Sequence, residues 1–416
     1  MPYSPPEPRW DIVEEHLHEA EFLWGMWEHG LRAPDFTPDD VARGPEARLS
    51  AHLAALVVNG PRVAPRLLIP ALATGEHLQV TAAAAALLHG PGDVGLDAVL
   101  AALRELPKQR PALARALACA ERADLAPRLR ALSGGPAWPA AAGALHLQDV
   151  ALDDELAGLF ASDDPAARVL AARAVAEARD PGPHLDALQA ALADPEPAVA
   201  DAAMFSGACL GLAPAWAHAR ARASERTGGQ ALLLLALADR DVASLMAALA
   251  RRSRRPAALW ALGFLGTPEA VDASLEWLDD AAVGHLAGEV FTAVTGVDLV
   301  KAGMAQPRRD RNPLAHDPED ALPRPEPMAV LRWWTQRRGE FRDGERYLGG
   351  APRTRAGLHA ALARGPMRRR AALVQDLELH TPVRGAARLR PFAPIARQRR
   401  QLAALEPSAA LPLALA

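Results

Sequence analysis

The side chains in this sequence best suited to chemistry are arginines. Arg368, Arg369 and Arg370 form an unbroken run, and Arg397, Arg399 and Arg400 make a second short basic stretch. A guanidinium offers a rigid fork of donors that matches phosphate or carboxylate oxygens in pairs, so these six residues are candidates for an electropositive surface, the alternative being plain helix-end and surface charges. Trp333-Trp334, with Arg337 and Arg338 one turn on, is the other candidate. Adjacent helix positions diverge by about 100°, so one ring is expected to be buried and the other to stand at an edge or an interface. Rings beside arginine suit single-stranded nucleic acid or an acidic protein groove equally well.

Covalent and metal chemistry finds less footing. The only lysines, Lys108 and Lys301, follow no Gly-rich turn, which excludes a Walker phosphate loop. Neither His-Glu-x-x-His nor Cys-x-x-Cys occurs. Glu15, His16, His18 and Glu19 carry ligand atoms, but His16 and His18 are two apart and point to different faces of a helix. Glu15 with His18 or Glu19 reads as a surface pair. Ser206, in MFSGAC, lacks the Gly-x-Ser-x-Gly frame of a nucleophile elbow and reads as a packing residue. The expectation is no catalytic residue, no cofactor and no metal ligand.

Charge is unevenly placed. The net charge is −4, yet residues 1–50 carry eleven acids against four arginines, and residues 351–402 carry twelve arginines against two acids. A negative total with the basic part confined to one end disfavours nucleic acid as the partner. It fits a docked acidic protein, or self-association in which the acidic front of one copy meets the basic end of the next. Cys119 and Cys209, each inside an Ala/Leu-rich stretch, read as buried thiols of a reducing cytoplasm. No signal peptide is expected, and no apolar run reaches the ~18–20 residues of a membrane span.

These residues must be positioned by helices. Ala and Leu dominate the 50% hydrophobic content, aromatics are 5%, and nothing reads as a sheet. Residues 257–280 predict a helical hairpin. Leu259, Leu262 and Leu265 stripe the first helix, Gly266 ends it, and Thr267-Pro268-Glu269 opens a second helix striped by Val271, Leu275 and Leu278. Asp164-Pro165 and Asp194-Pro195 predict two more helix starts of the same kind, and Asp11 with Glu14 predicts a capping box at the front. Each such helix is expected to be apolar on one side only and to need a neighbour. The pattern predicts an all-α solenoid of short HEAT-like hairpins, about 30 residues each against the usual 40–47. The expected divisions are an acidic, aromatic cap (1–60), the repeat array (61–300), a Pro-rich linker or insertion (301–327) and a basic helical extension (328–416).

Three stretches go beyond that pattern: HLHEAEFLWGMWEHGLRAPDF with EARLSAHLAAL at the front, HLAGEVFTAVTGVDL at 285–299, and RYLGG followed by MRRRAALVQDLEL and RQRRQL. Together they resemble an uncharacterised bacterial family of HEAT-repeat proteins encoded beside type VI secretion genes, nearly end to end. The resemblance implies an accessory role in a secretion locus, with a cargo or spike-tip protein as partner, and it brings no catalytic residues. The expected function is a non-catalytic scaffold. The alternative is a nucleic-acid binder using the C-terminal arginines.

Overall fold

The computed structural model describes residues 7–59, 61–238, 241–307, 318–380 and 388–405, and it is almost entirely helical. Residues 1–6 of the Pro-rich stretch 1–9, expected from its prolines to be extended, the proline-rich centre of the linker at 308–317 and the apolar 406–416 lie outside the described residues.

Helices α1 (Trp10–Gly30), α2 (Pro38–Val41) and α3 (Ala47–Val58) form the front. There follow α4 (Ile69–Thr74), α5 (His77–His89), α6 (Val94–Glu105), α7 (Arg110–Cys119), α8 (Leu125–Arg130), α9 (Trp138–Leu147) and α10 (Leu156–Phe160). The second half continues with α11 (Pro165–Val175), α12 (Leu185–Ala191), α13 (Pro197–Cys209), α14 (Ala213–Arg222), α15 (Gly229–Leu237), α16 (Val242–Leu249), α17 (Arg255–Leu265), α18 (Pro268–Ser274) and α19 (Gly284–Thr295). Odd-numbered helices from α5 to α19 pack each on the next, making a central row, while α4, α6, α8, α10, α12, α14, α16 and α18 line one flank of it. The chain then forms α20 (Pro327–Arg337), a short hairpin of β1 (Tyr347–Leu348) and β2 (Ala351–Pro352), α21 (Arg355–Arg364), α22 (Met367–His380) and α23 (Ile395–Ala404). Helix α22 lies on α13 and α15, α21 touches α2, and α23 reaches the turn at residues 42–46. The C-terminal extension therefore folds back along the row to the front.

That return explains the composition of the central row. Val80–Leu88 in α5 and Ala231–Leu237 in α15 are buried without interruption. A helix covered on all sides reads as apolar all round. The expectation of one-sided helices fails for α5 and α15, whereas α11 keeps an exposed edge at Pro165, Ala166 and Arg173.

Local signals act as their chemistry requires. Gly266 takes φ +75° at the end of α17, and Thr267 Oγ1 accepts from Ala270 N at 3.3 Å to start α18. Asp164 Oδ1 accepts from Ala166 N at 2.9 Å. Two starts differ from expectation. Helix α13 begins at Pro197 rather than after Asp194, because Glu196 precedes a proline and is held extended; Asp194 pairs with Arg168 instead, at 2.8 Å. Helix α1 begins at Trp10, one residue before Asp11, whose carboxylate sits in the first turn beside Arg9. The capping box lies at Thr37 and Asp40.

The absence of any sheet is also corrected, since Gly349 and Gly350, both at positive φ, close the two-residue β1–β2 pair. The described flanks of the proline-rich segment pin each other. Glu326 N donates to Met304 O at 2.7 Å and Gln306 N to Arg324 O at 2.8 Å, so 301–327 leaves and re-enters at one place.

Candidate functional site

The last turn of a helix leaves backbone carbonyls without partners, and the aligned peptide dipoles concentrate negative charge there. In the central row several such ends receive groups from the returning chain. Arg346 bridges two of them. Its Nε and Nη2 donate to Leu265 O and Phe264 O at 2.8 Å each, and Nη1 and Nη2 donate to Leu237 O at 2.9 Å and Ala236 O at 3.1 Å. The β-hairpin tip serves α19, with Gly349 N on Ala293 O at 2.8 Å and Gly350 N on Val294 O at 2.9 Å. Arg369 Nη2 reaches Gly263 O at 2.7 Å. Arg388 Nη2 reaches Ala176 O, just past α11, at 3.0 Å. Arg397 closes α7 through Ala118 O at 2.7 Å, Cys119 O at 3.1 Å and Ala120 O at 3.0 Å. The returning segment thus runs against the order of the row, and its positive charge meets a line of negative helix ends.

Carboxylates complete the arrangement. Arg390 takes Glu177 with both terminal nitrogens and Asp149 with Nε at 2.8 Å. Its Nη1 also lies 3.4 Å from His146 Nε2. A guanidinium only donates, so Nε2 must accept and the imidazole is neutral there. Burial drives the His146 pKa down to about 4, with Glu177 pulling the other way and Arg390 adding to the fall. Burial opposes ionisation of Glu177, yet the charges around it, Arg390 and Arg388 among them, hold its carboxyl below the usual range. Glu378 lacks that balance, and burial raises its pKa. Arg368 sits between Glu289 at 3.3 Å and Glu319 at 2.7 Å. Hydrogen bonding from His285, with Arg368 beside it, brings Glu319 down to about 2.

The expected site residues fall into two groups. Arg369, Arg370 and Arg397 are buried, and Arg368 nearly so. Arg370 donates to Gln398 and Leu362 O inside the extension, while Arg368 and Arg369 lie over the Trp260 ring. These four do not form the free electropositive surface expected from their run, because helix ends and acids of the same chain consume their charge. Arg399 and Arg400 stay exposed and pair with Asp39 and Glu121. The acidic front and basic end therefore meet within one chain.

Trp334 is buried, with Nε1 donating to Asp272 at 2.6 Å, and Trp333 is half-buried, as the spacing predicts. Arg338 is drawn onto Asp272 at 3.0 Å and onto Asp343, while Arg337 remains exposed above the Trp333 ring at 5.4 Å.

Sequence reasoning missed Arg346, Arg388 and Arg390. One signal was present for the last two: in an extended stretch, residues two apart share a side, and both contact Glu177. It also missed the partner of His16, whose Nδ1 lies 3.1 Å from Nδ1 of His52 on α3. Ser206 is buried mid-helix, with its hydroxyl donating to Arg173 O at 3.5 Å. Among the described residues no group of three or more His, Cys, Asp or Glu converges as a metal site would require. Among them, too, no helix is long and apolar enough to cross a membrane. A cleft beside α1 and α4 is lined by Glu14, His18, Arg66, Thr74 and Gln79 among others, and the Thr74 hydroxyl in it donates to Pro70 O at 3.2 Å.

No family model matches the chain, and no curated protein matches it. Among solved structures it is similar to the X-ray structure of YibA from Escherichia coli, at 11% identity over 70% of this chain and 97% of that one, with a TM-score of 0.29. An overlap of that size carries no functional argument.

Proposed function

We propose that the chain is a HEAT-like solenoid acting in the cytoplasm as a non-catalytic scaffold for a protein partner. The observation that supports this reading is the packing order. Each central helix rests on the next and carries its own flanking helix, which is how a repeat array generates a long surface without a reactive pocket. The motif stretches at the front and at 285–299 both contact those at the C-terminal end: Phe36 O accepts from Met367 N, Glu289 from Arg368, and Ala293 O from Gly349 N. Their resemblance to proteins encoded beside type VI secretion genes supports a cargo or spike-tip component as the partner. Half-buried Trp333 with exposed Arg337 is the anchor we assign to it.

Nucleic acid is disfavoured as the alternative, because Arg369, Arg370 and Arg397 already donate inside the fold. Co-purification from cells expressing the whole locus tests the proposal: a neighbouring gene product should be recovered, and its loss on Trp333→Ala should leave the fold intact. Recovery of no neighbouring product, together with oligonucleotide binding that weakens steeply with salt and is lost on reversing Arg337, Arg399 and Arg400, would favour the alternative.

A further inference from the structure

We infer that residues 388–405 form a latch that opens independently of the rest of the fold, uncovering a docking strip for an arginine-bearing segment of a partner protein. The inference rests on the protein-binding reading and assigns the partner's chemistry. In the resting molecule the latch is its own occupant.

The strip is defined by what the latch covers. Carbonyls of Ala118, Cys119 and Ala120 end α7, Asp149 follows α9, Glu177 follows α11, and Glu46 opens α3. Asp39 and Glu121 stand at the rim. Each of these groups accepts; beside them Arg115 of α7 is a donor, bonding Phe392 O of the latch at 2.9 Å. A segment bearing guanidinium groups is the complement, as Arg390 and Arg397 show.

The latch is also separable. Its apolar anchors are Leu389, Ala393, Ile395 and Leu402 with half-buried Phe392, and the remaining grip is polar. Helix α22 has its own hold on α13 and α15, and its polar links to the latch are Arg370 with Gln398 and Glu378 with Arg388. The far end of the latch is tied by Arg399 to Asp39 and by Arg400 to Glu121, both exposed pairs that solvent weakens. Opening would start there.

Two native thiols report the motion. Cys119 lies beneath Arg397, which bonds its carbonyl. Burial raises its thiol pKa, while Arg115 and Arg397 act against the rise. Cys209 lies near Glu378 of α22 and also near Arg388 at the start of the latch, and burial raises its pKa too. These are the only cysteines in the chain.

The test uses the full chain carrying Arg399→Glu and Arg400→Glu. Thiol labelling of Cys119 should quicken about tenfold over the unmodified chain, the scale set by reversing two exposed pairs, while the far-UV helical signal is kept and so excludes global unfolding. Adding Asp39→Arg and Glu121→Arg should restore slow labelling. A fluorescent peptide of residues 388–405 should bind the opened variant, and the same peptide carrying Arg390→Ala and Arg397→Ala should not. Cys119 labelling that stays at the unmodified rate in the charge-reversed variant, or that quickens only with loss of the helical signal, would overturn the latch. Fast Cys119 labelling with no peptide bound would overturn the docking strip. Neither readout depends on recovering a natural partner, so failure of the secretion-locus reading leaves both standing.

Discussion

Arg390 forks onto Glu177, with Nη1 2.9 Å from Oε1 and Nη2 2.7 Å from Oε2, across 213 residues of sequence. The pair joins the returning chain to the end of α11, and both side chains are largely out of solvent. Removing one member strands the other as a buried charge. Arg390→Ala should therefore cost about 3–5 kcal/mol of stability in urea unfolding. Arg390→Lys should recover only part of it, because an ammonium cannot engage two carboxylate oxygens in parallel. Full recovery by lysine would show that only the charge matters.

His146 gives the same region a pH dependence. Its pKa of about 4 in the folded chain lies below the ordinary 6.5, so the unfolded chain binds the proton first as pH falls. Stability is complete above pH 6.5 and declines through the window down to about pH 4, by on the order of 3 kcal/mol in total. Titration of the unfolding midpoint should show this slope, and His146→Leu should flatten it. A slope unchanged by that substitution would assign the effect to the carboxylates, Glu177 first.

The docking of the β-hairpin can be tested with two glycines. Gly349 and Gly296 both have positive φ, but a Cβ on Gly349 would meet nothing within 4 Å, whereas one on Gly296 would lie 2.4 Å from Gly349 O. Gly349→Ala should cost about 1–2 kcal/mol, the ordinary penalty of that conformation. Gly296→Ala should cost on the order of 3 kcal/mol or more, since it also pushes the hairpin off α19. Equal losses in thermal or urea unfolding would mean that the contact contributes little.

The tryptophan pair separates fold from function. Trp334→Ala removes a buried ring and its bond to Asp272, and should cost about 3–5 kcal/mol. Trp333→Ala should cost roughly 1 kcal/mol and abolish partner recovery. A Trp333→Ala protein that keeps its partner and loses stability as severely as Trp334→Ala would make both rings core.

What could be read from the sequence was local. Gly266, Thr267 and Pro268 act within four residues of one another, so the α17–α18 hairpin was legible in full. The divergence of Trp333 and Trp334 follows from helix geometry alone. The arginines were legible as charge but not as destination. Arg346, Arg369, Arg388 and Arg397 bond to backbone carbonyls, and a carbonyl leaves no trace in residue type. Runs of arginine normally face solvent; here a line of helix ends supplies the opposing charge, and that line exists only once the helices are stacked. The unbroken apolar runs Ala82–Leu88 and Ala231–Leu237 were the sequence hints that something lay over the other side of those helices.

The return of the C-terminal segment has a bearing on biogenesis. During synthesis, α5 to α19 emerge well before Arg346, Arg390 and Arg397, so the nascent stack must wait with its carboxyl-side helix ends hydrated and its second flank bare. Completion is thus a late event, and a ribosome that stalled near residue 300 would release a chain holding most of its helices but none of the counter-charge that closes them.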